Sequence, residues 1–195
     1  MARVTTDSRR AADELTDEEL VERYRRHGDR QAAELLLSRH LGAVRSMVGQ
    51  LVLEEAAADD LCQEVFLRAL RGLDGFTGRA AFSTWLYRIA LNIVYSYLRQ
   101  RQRSGLQFCA QVPERPQRGG APEQAALQRE LEDEVTAALA ALTPKLRAAI
   151  VLTCLHEHTI AEAAAIEGCT KATMYWRVFQ ARRLLERRLQ KYLEE

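Results

Sequence analysis

From Thr16 to about Arg103, and again from Ala125 to Leu189, apolar residues return at every third or fourth position, the spacing of helices that bury one face. Thr16-Asp17-Glu18-Glu19 reads as a capping box that starts a first helix, and Gly28 ends it. In the next segment Leu37, Leu41, Val44, Val48 and Leu51 recur at helical intervals. A third helix is predicted from Ala58 to Arg71, with Leu61, Val65 and Ala69 inward and Asp60, Gln63, Glu64, Leu67 and Arg68 outward. The glycines of 72–78 make a loop. The helix that follows carries two chemistries: Phe82, Leu86, Ile89, Ile93 and Tyr97 form an apolar stripe, while Trp85, Arg88, Asn92, Ser96 and Arg99 share another face.

The periodicity then stops. Between Arg103 and Glu123 stand Gly105, Pro113, Pro116, Gly119, Gly120 and Pro122, the composition of a flexible linker. A second helical module begins with Ala125 to Leu142, and Thr143-Pro144 supplies an N-cap and a first-turn proline for a helix covering Leu146 to Leu155. Thr159 caps a short helix, Gly168 makes a turn, and Thr170 caps a long last helix whose inner stripe is Met174, Val178, Ala181, Leu185 and Leu189. That is a helix-turn-helix unit, whose second helix is the one that enters a major groove. The expected fold is all-α: a polar tail at 1–15, a helical domain at 16–103, a linker at 104–124 and a second helical domain at 125–195.

The formal net charge of +1 does not suggest a nucleic-acid binder, yet the charge is unevenly placed. Acid dominates 13–22 and 123–134, whereas 88–118 and 171–191 are strongly basic, and local patches matter more than totals for phosphate attraction. No stretch reads as a membrane span or signal peptide, so a cytoplasmic protein is expected. The cysteines Cys62, Cys109, Cys154 and Cys169 are too scattered for a disulfide framework and are expected as thiols. Cys154, His156 and His158 raise the question of a metal, but the spacing is unfamiliar for zinc, and Cys154 continues the apolar pattern of Ile150 and Val151. A core cysteine beside two surface histidines is the expectation, with no metal and no cofactor. No Gly-rich phosphate loop and no nucleophile-base pair is found, so the chain is not expected to be an enzyme.

Tryptophan, asparagine and arginine on one helical face suit unpaired DNA, since an indole supports an exposed base, an amide bonds a base edge and guanidinium holds phosphate. On the last helix Tyr175, Trp176, Phe179, Gln180 and Arg183 point outward, and adjacent outward aromatics are costly to leave in water. A DNA groove or a protein partner should cover them.

The run Asp59-Asp60-Leu61-Cys62-Gln63-Glu64-Val65-Phe66-Leu67-Arg68-Ala69, followed by Phe82-Ser83-Thr84-Trp85-Leu86-Tyr87-Arg88-Ile89-Ala90-Leu91-Asn92 and a linked helix-turn-helix, resembles a bacterial RNA polymerase sigma factor of the extracytoplasmic-function type. The resemblance implies a core polymerase-binding face of Asp60, Gln63, Glu64, Leu67 and Arg68. It implies minus-ten DNA contacts by Phe76, Arg79, Phe82, Trp85 and Arg88, continued by Asn92, Ser96, Arg99, Arg101 and Arg103. It implies minus-thirty-five contacts by Lys171, Thr173, Tyr175, Trp176 and Arg177, together with Phe179, Gln180, Arg182 and Arg183. The implied partners are core RNA polymerase, promoter DNA and an anti-sigma factor. This chain departs from the family's habit of Arg at Leu91, Asp at Ser96, Lys-Ser-Arg at Tyr175-Trp176-Arg177 and an apolar residue at Glu167. Two rival readings remain: a helix-turn-helix regulator working without polymerase, and a sigma-like decoy that sequesters a regulator.

Overall fold

The computed structural model describes residues 15–104 and the backbone from Pro122 to Gln190, with side chains again from Arg129. Its helices are α1 (Asp17–His27), α2 (Arg30–Val52), α3 (Glu55–Gly72), α4 (Phe82–Arg103), α5 (Pro122–Ala141), α6 (Pro144–Ile150), α7 (Ile160–Glu167) and α8 (Lys171–Leu189). No strand occurs among the described residues. The tail and most of the linker expected over 104–124 lie outside them, but Pro122 already opens α5, three residues ahead of the expected start.

Local signals account for most boundaries. Thr16 Oγ1 accepts from the amide of Glu19 at 3.2 Å, Glu19 accepts in turn from the Thr16 amide at 2.7 Å, and Gly28 closes α1 in the left-handed region at φ 63°. Asp29 caps α2 through the amides of Gln31 and Ala32. A second capping box joins Thr159 to Glu162 at the start of α7, and Thr170 caps α8 through the amide of Thr173. Each such cap is worth about 1 kcal/mol. Other boundaries differ from expectation: α3 starts at Glu55 and runs through Gly72 into a 3-10 turn at Leu73–Gly75, and α6 ends at Ile150, where the helix was expected to reach Leu155; Thr143 precedes Pro144 without a side-chain cap bond.

In α2 the buried stripe is Ala33, Leu36, Val44, Met47, Val48 and Leu51, whereas Leu41 is 47% exposed. His40 faces inward in its place, with its ring 5.3 Å from that of Phe82 and its Nε2 2.6 Å from Asp17. An amphiphilic histidine with a carboxylate partner on α1 outcompetes a leucine at the stripe's edge.

Helices α1–α4 pack as one bundle and α5–α8 as another, and the two bundles also touch. α4 meets α7, and α2 meets α6 and the turn that follows it. Buried apolar side chains from both bundles form one connected cluster.

Candidate nucleic-acid interface

On α3, Leu61, Val65 and Ala69 are buried as the period requires, while Leu67 is 54% exposed and Asp60, Gln63 and Arg68 are exposed beside it. Glu64 pairs with Arg68 one turn on at 2.5 Å. Asp59 is held by Arg45 of α2 at 2.7 Å, as Glu64 is by Arg68, so Asp60 is the acid of this face with no such ion pair among the described residues. An apolar centre ringed by acid, amide and one arginine fits a basic helical partner.

α4 divides its circumference three ways. Phe82, Leu86, Ala90, Ile93 and Val94 are buried, Arg88, Asn92, Ser96 and Arg99 are exposed, and Tyr87, Leu91 and Leu98 form a further buried line. Arg79 in the loop before α4 and Arg103 at its end are also exposed. The expected polar face therefore exists as a surface carrying Arg79, Arg88, Asn92, Ser96, Arg99 and Arg103.

Several expected contacts sit elsewhere. Phe76 and Phe82 are 7% and 2% exposed, and with Trp85 they form a ring cluster with centroids 5.2 to 5.7 Å apart. Trp85 is half-buried, and a Cβ at Gly72 would lie 3.1 Å from its Cζ2. The indole thus leans on the core and offers only part of its surface to solvent. Arg101 turns back to Glu54 and Tyr97 instead of outward, because the carboxylate at the head of α3 is the stronger partner.

In the helix-turn-helix, Ala163, Ala164 and Ile166 of α7 and Met174, Val178 and Ala181 of α8 are buried. Gly168 makes the turn at φ 67°, a conformation that other residues adopt only under strain. Tyr175, Trp176 and Phe179 are 63%, 58% and 62% exposed, with Lys171, Arg182 and Arg183 exposed and Thr173 and Gln180 half-exposed beside them. Arg177 is the exception among the expected contacts of this helix. Its Nη1 lies 2.8 Å from Glu167, whose side chain is fully buried, so its charge is spent inside the protein.

The histidine–cysteine cluster comes out reversed. After α6 the chain makes one π turn, Val151–Leu155, whose wider winding rotates Cys154 out of line with Ile150 and leaves it exposed. The two histidines are half-buried instead, each edge-on to Tyr87 of α4, and His156 Nε2 meets Gln50 Oε1 at 3.1 Å. Burial lowers the pKa of both from the ordinary histidine value. No group of three or more metal-ligating side chains occurs among the described residues. Cys62 is buried, which pushes its thiol up to about 11, while Cys169 is half-buried and Cys109 lies outside the described residues.

The residues that join the two bundles were not legible as functional positions. Arg147, 3% exposed, donates to the carbonyls of Leu139, Ala140 and Leu142 within its own bundle and to that of Leu51 of α2 at 2.6 Å. Tyr95 of α4 donates its hydroxyl to the buried Glu167, which also faces Lys145 at 3.5 Å. A signal was present, since Tyr87, Leu91 and Tyr95 recur every fourth position on α4, a second apolar line beside the first.

The family model for sigma-70 region 2 matches residues 36–104, and that for sigma-70 region 4 matches 132–185. The chain is 37% identical over 187 residues to the extracytoplasmic-function RNA polymerase sigma-E factor of Escherichia coli K12, covering 92% of this chain and 97% of that one. The counterpart from Haemophilus influenzae is 34% identical, with 92% and 98% covered. Among solved structures, the sigma factor RpoE of Bartonella quintana in complex with the anti-sigma factor NepR superposes with a TM-score of 0.65 at 30% identity, covering 79% of this chain and 94% of that one. CnrH in complex with the cytosolic domain of CnrY gives 0.68 at 26% identity, covering 90% and 97%.

Proposed function

The chain belongs to the sigma-70 family, in its extracytoplasmic-function group, and from that membership we propose that it joins core RNA polymerase through the α3 face, melts and reads the minus-ten element with α4, and reads the minus-thirty-five element with α8. It acts by binding, in the cytoplasm where polymerase works. An anti-sigma factor is its natural restraint, just as the Bartonella relative forms a complex with NepR.

One observation carries the reading: the polar face of α4 stands exposed immediately after an exposed acidic and leucine-centred face on α3. A helix-turn-helix regulator without polymerase has no use for either. A decoy would not keep Arg88, Arg99 and Arg103 on one exposed helix next to Asn92. Residues assigned to minus-ten DNA are Arg79, Arg88, Asn92, Ser96, Arg99 and Arg103, with the exposed part of Trp85 as a base support. Those assigned to minus-thirty-five DNA are Lys171, Thr173, Tyr175, Trp176, Phe179, Gln180, Arg182 and Arg183.

Reversing charge at the centre of the α3 face provides the test. Glu64→Lys should abolish assembly with core polymerase while far-ultraviolet circular dichroism stays helical, because Glu64 is on the surface and its ion pair with Arg68 contributes little to stability. Retained assembly would overturn the assignment of that face.

A further inference from the structure

We propose that α8 selects thymine in the minus-thirty-five element, by packing Trp176 and Phe179 against the 5-methyl groups that thymines present in the major groove, with Gln180 bonding an adenine beside them. The proposal rests on the assignment of α8 to minus-thirty-five DNA, and it says which bases that helix prefers.

The first observation is the pattern of the exposed face. Lys171, Tyr175, Phe179 and Arg183 follow one another at intervals of four along α8, all exposed, and Trp176 and Gln180 make a second line beside them. Charge stands at the two ends of the first line and the rings lie between. No acidic residue occurs in α8 before Glu186. This pattern is complementary to a DNA groove, whose walls offer phosphate to the cations and whose floor offers base edges to the middle of the helix. From Tyr175 to Gln180 the helix rises about 7.5 Å, or roughly two base-pair steps.

The second observation is the withdrawal of a cation from that middle. Arg177 is the only arginine or lysine between Lys171 and Arg182. Its side chain is 13% exposed, with Nη1 2.8 Å from the buried Glu167 and 3.8 Å from Cys169 Sγ. Glu167 ends α7 and Cys169 lies in the turn, so the arginine is tied down wholly within the helix-turn-helix. Arginine and lysine are the side chains that bond guanine O6 and N7, and none is left among the rings to do so. A ring laid on guanine or cytosine would strip water from those acceptors, or from the cytosine amino group, and return no hydrogen bond. Thymine alone carries a methyl in the major groove, where apolar contact is favourable. Gln180, one turn beyond Trp176, has the amide that bonds adenine N6 and N7.

The experiment uses holoenzyme assembled from core polymerase and the full chain. It selects from promoter DNA randomised across the minus-thirty-five region, and the recovered element is then remade with deoxyuridine for each thymidine, which removes the methyl and leaves pairing intact. Thymine should be enriched at neighbouring positions, and the uracil form should bind about fourfold more weakly for each methyl covered. Trp176→Ala and Phe179→Ala change exposed side chains, so the fold is kept, and these variants should bind the two forms more nearly alike. Uracil DNA bound as tightly as thymine DNA by the wild type would overturn the proposal, as would variants that keep the full discrimination. An upstream element of guanine and cytosine without thymine would overturn the thymine preference and leave α8 as the reader. A minus-ten preference with none upstream would overturn the assignment of α8 and the thymine preference together.

Discussion

Arg147 is a buried cation held by carbonyls at the end of α5 and by that of Leu51 in α2, and burial lowers its pKa to about 10. Carbonyl dipoles converging on one guanidinium replace the water it lost. Arg147→Met removes the fork and strands several buried carbonyls, so it should cost about 3 kcal/mol or more of stability in urea unfolding. Arg147→Lys should recover only part, because one ammonium cannot span the same set. A loss under about 1 kcal/mol for the methionine variant would show that water serves those carbonyls equally well. Trp85 and Asn92 separate in the same way. Trp85→Ala should lower stability by roughly 3 kcal/mol and also slow open-complex formation, since its ring packs on Phe76 and Phe82. Asn92→Ala, on an exposed side chain, should slow opening without moving the melting temperature.

At the scale of the element, the proposed minus-thirty-five helix α8 carries two kinds of residue in sequence. Trp176 and Gln180 lie near its start, where a recognition helix meets base edges, and Arg187 lies in its last turn, exposed to phosphate or solvent. Substituting Gln180 or Trp176 by Ala should change the minus-thirty-five sequences selected from randomised DNA, by about 1 to 3 kcal/mol per altered base. Arg187→Ala should weaken all sequences alike and flatten the salt dependence. An unchanged preferred sequence in the first pair would show that this aromatic face docks a protein instead. Arg177, bound to Glu167, should behave as a support for the turn: its loss lowers stability of the second bundle before it alters sequence choice.

For the whole molecule, the contact between the bundles is expected to depend on pH. His156 faces Gln50 and Tyr87, and His158 faces Tyr87 and the Glu162 carboxylate; burial holds both below the ordinary value near 6.5. With the bundles in contact the two histidines are held neutral, so this arrangement binds fewer protons than one in which they meet water. The contact should therefore be at full strength above about pH 6.5 and weaken as the pH falls from there toward the lowered values, below which no further change is expected. Scattering from the free chain between about pH 8 and 5.5 should show expansion on acidification, and His156→Gln with His158→Gln should remove that dependence. A radius constant across the range in the wild type would exclude the histidines as contributors.

What the sequence by itself determined was local: a capping box at Thr16, an N-cap at Thr159, the glycine stops at Gly28 and Gly168, the inward stripes of α3, α4 and α8, and which polar residues of those helices lie outward. Such features depend on residues within one or two turns, which a period and a cap report directly. Only the tertiary structure decided which polar groups were already spoken for. Arg101, Arg177 and Arg147 look in the sequence like three more surface cations. They are turned inward by Glu54, Glu167 and the Leu51 carbonyl, which lie 47, 10 and 96 residues away along the chain. Likewise, periodicity put Cys154 in the core and the histidines outside, and a single π turn with a second bundle opposite it reversed both. Pairing across such distances depends on how helices dock, and helical period carries no information about that.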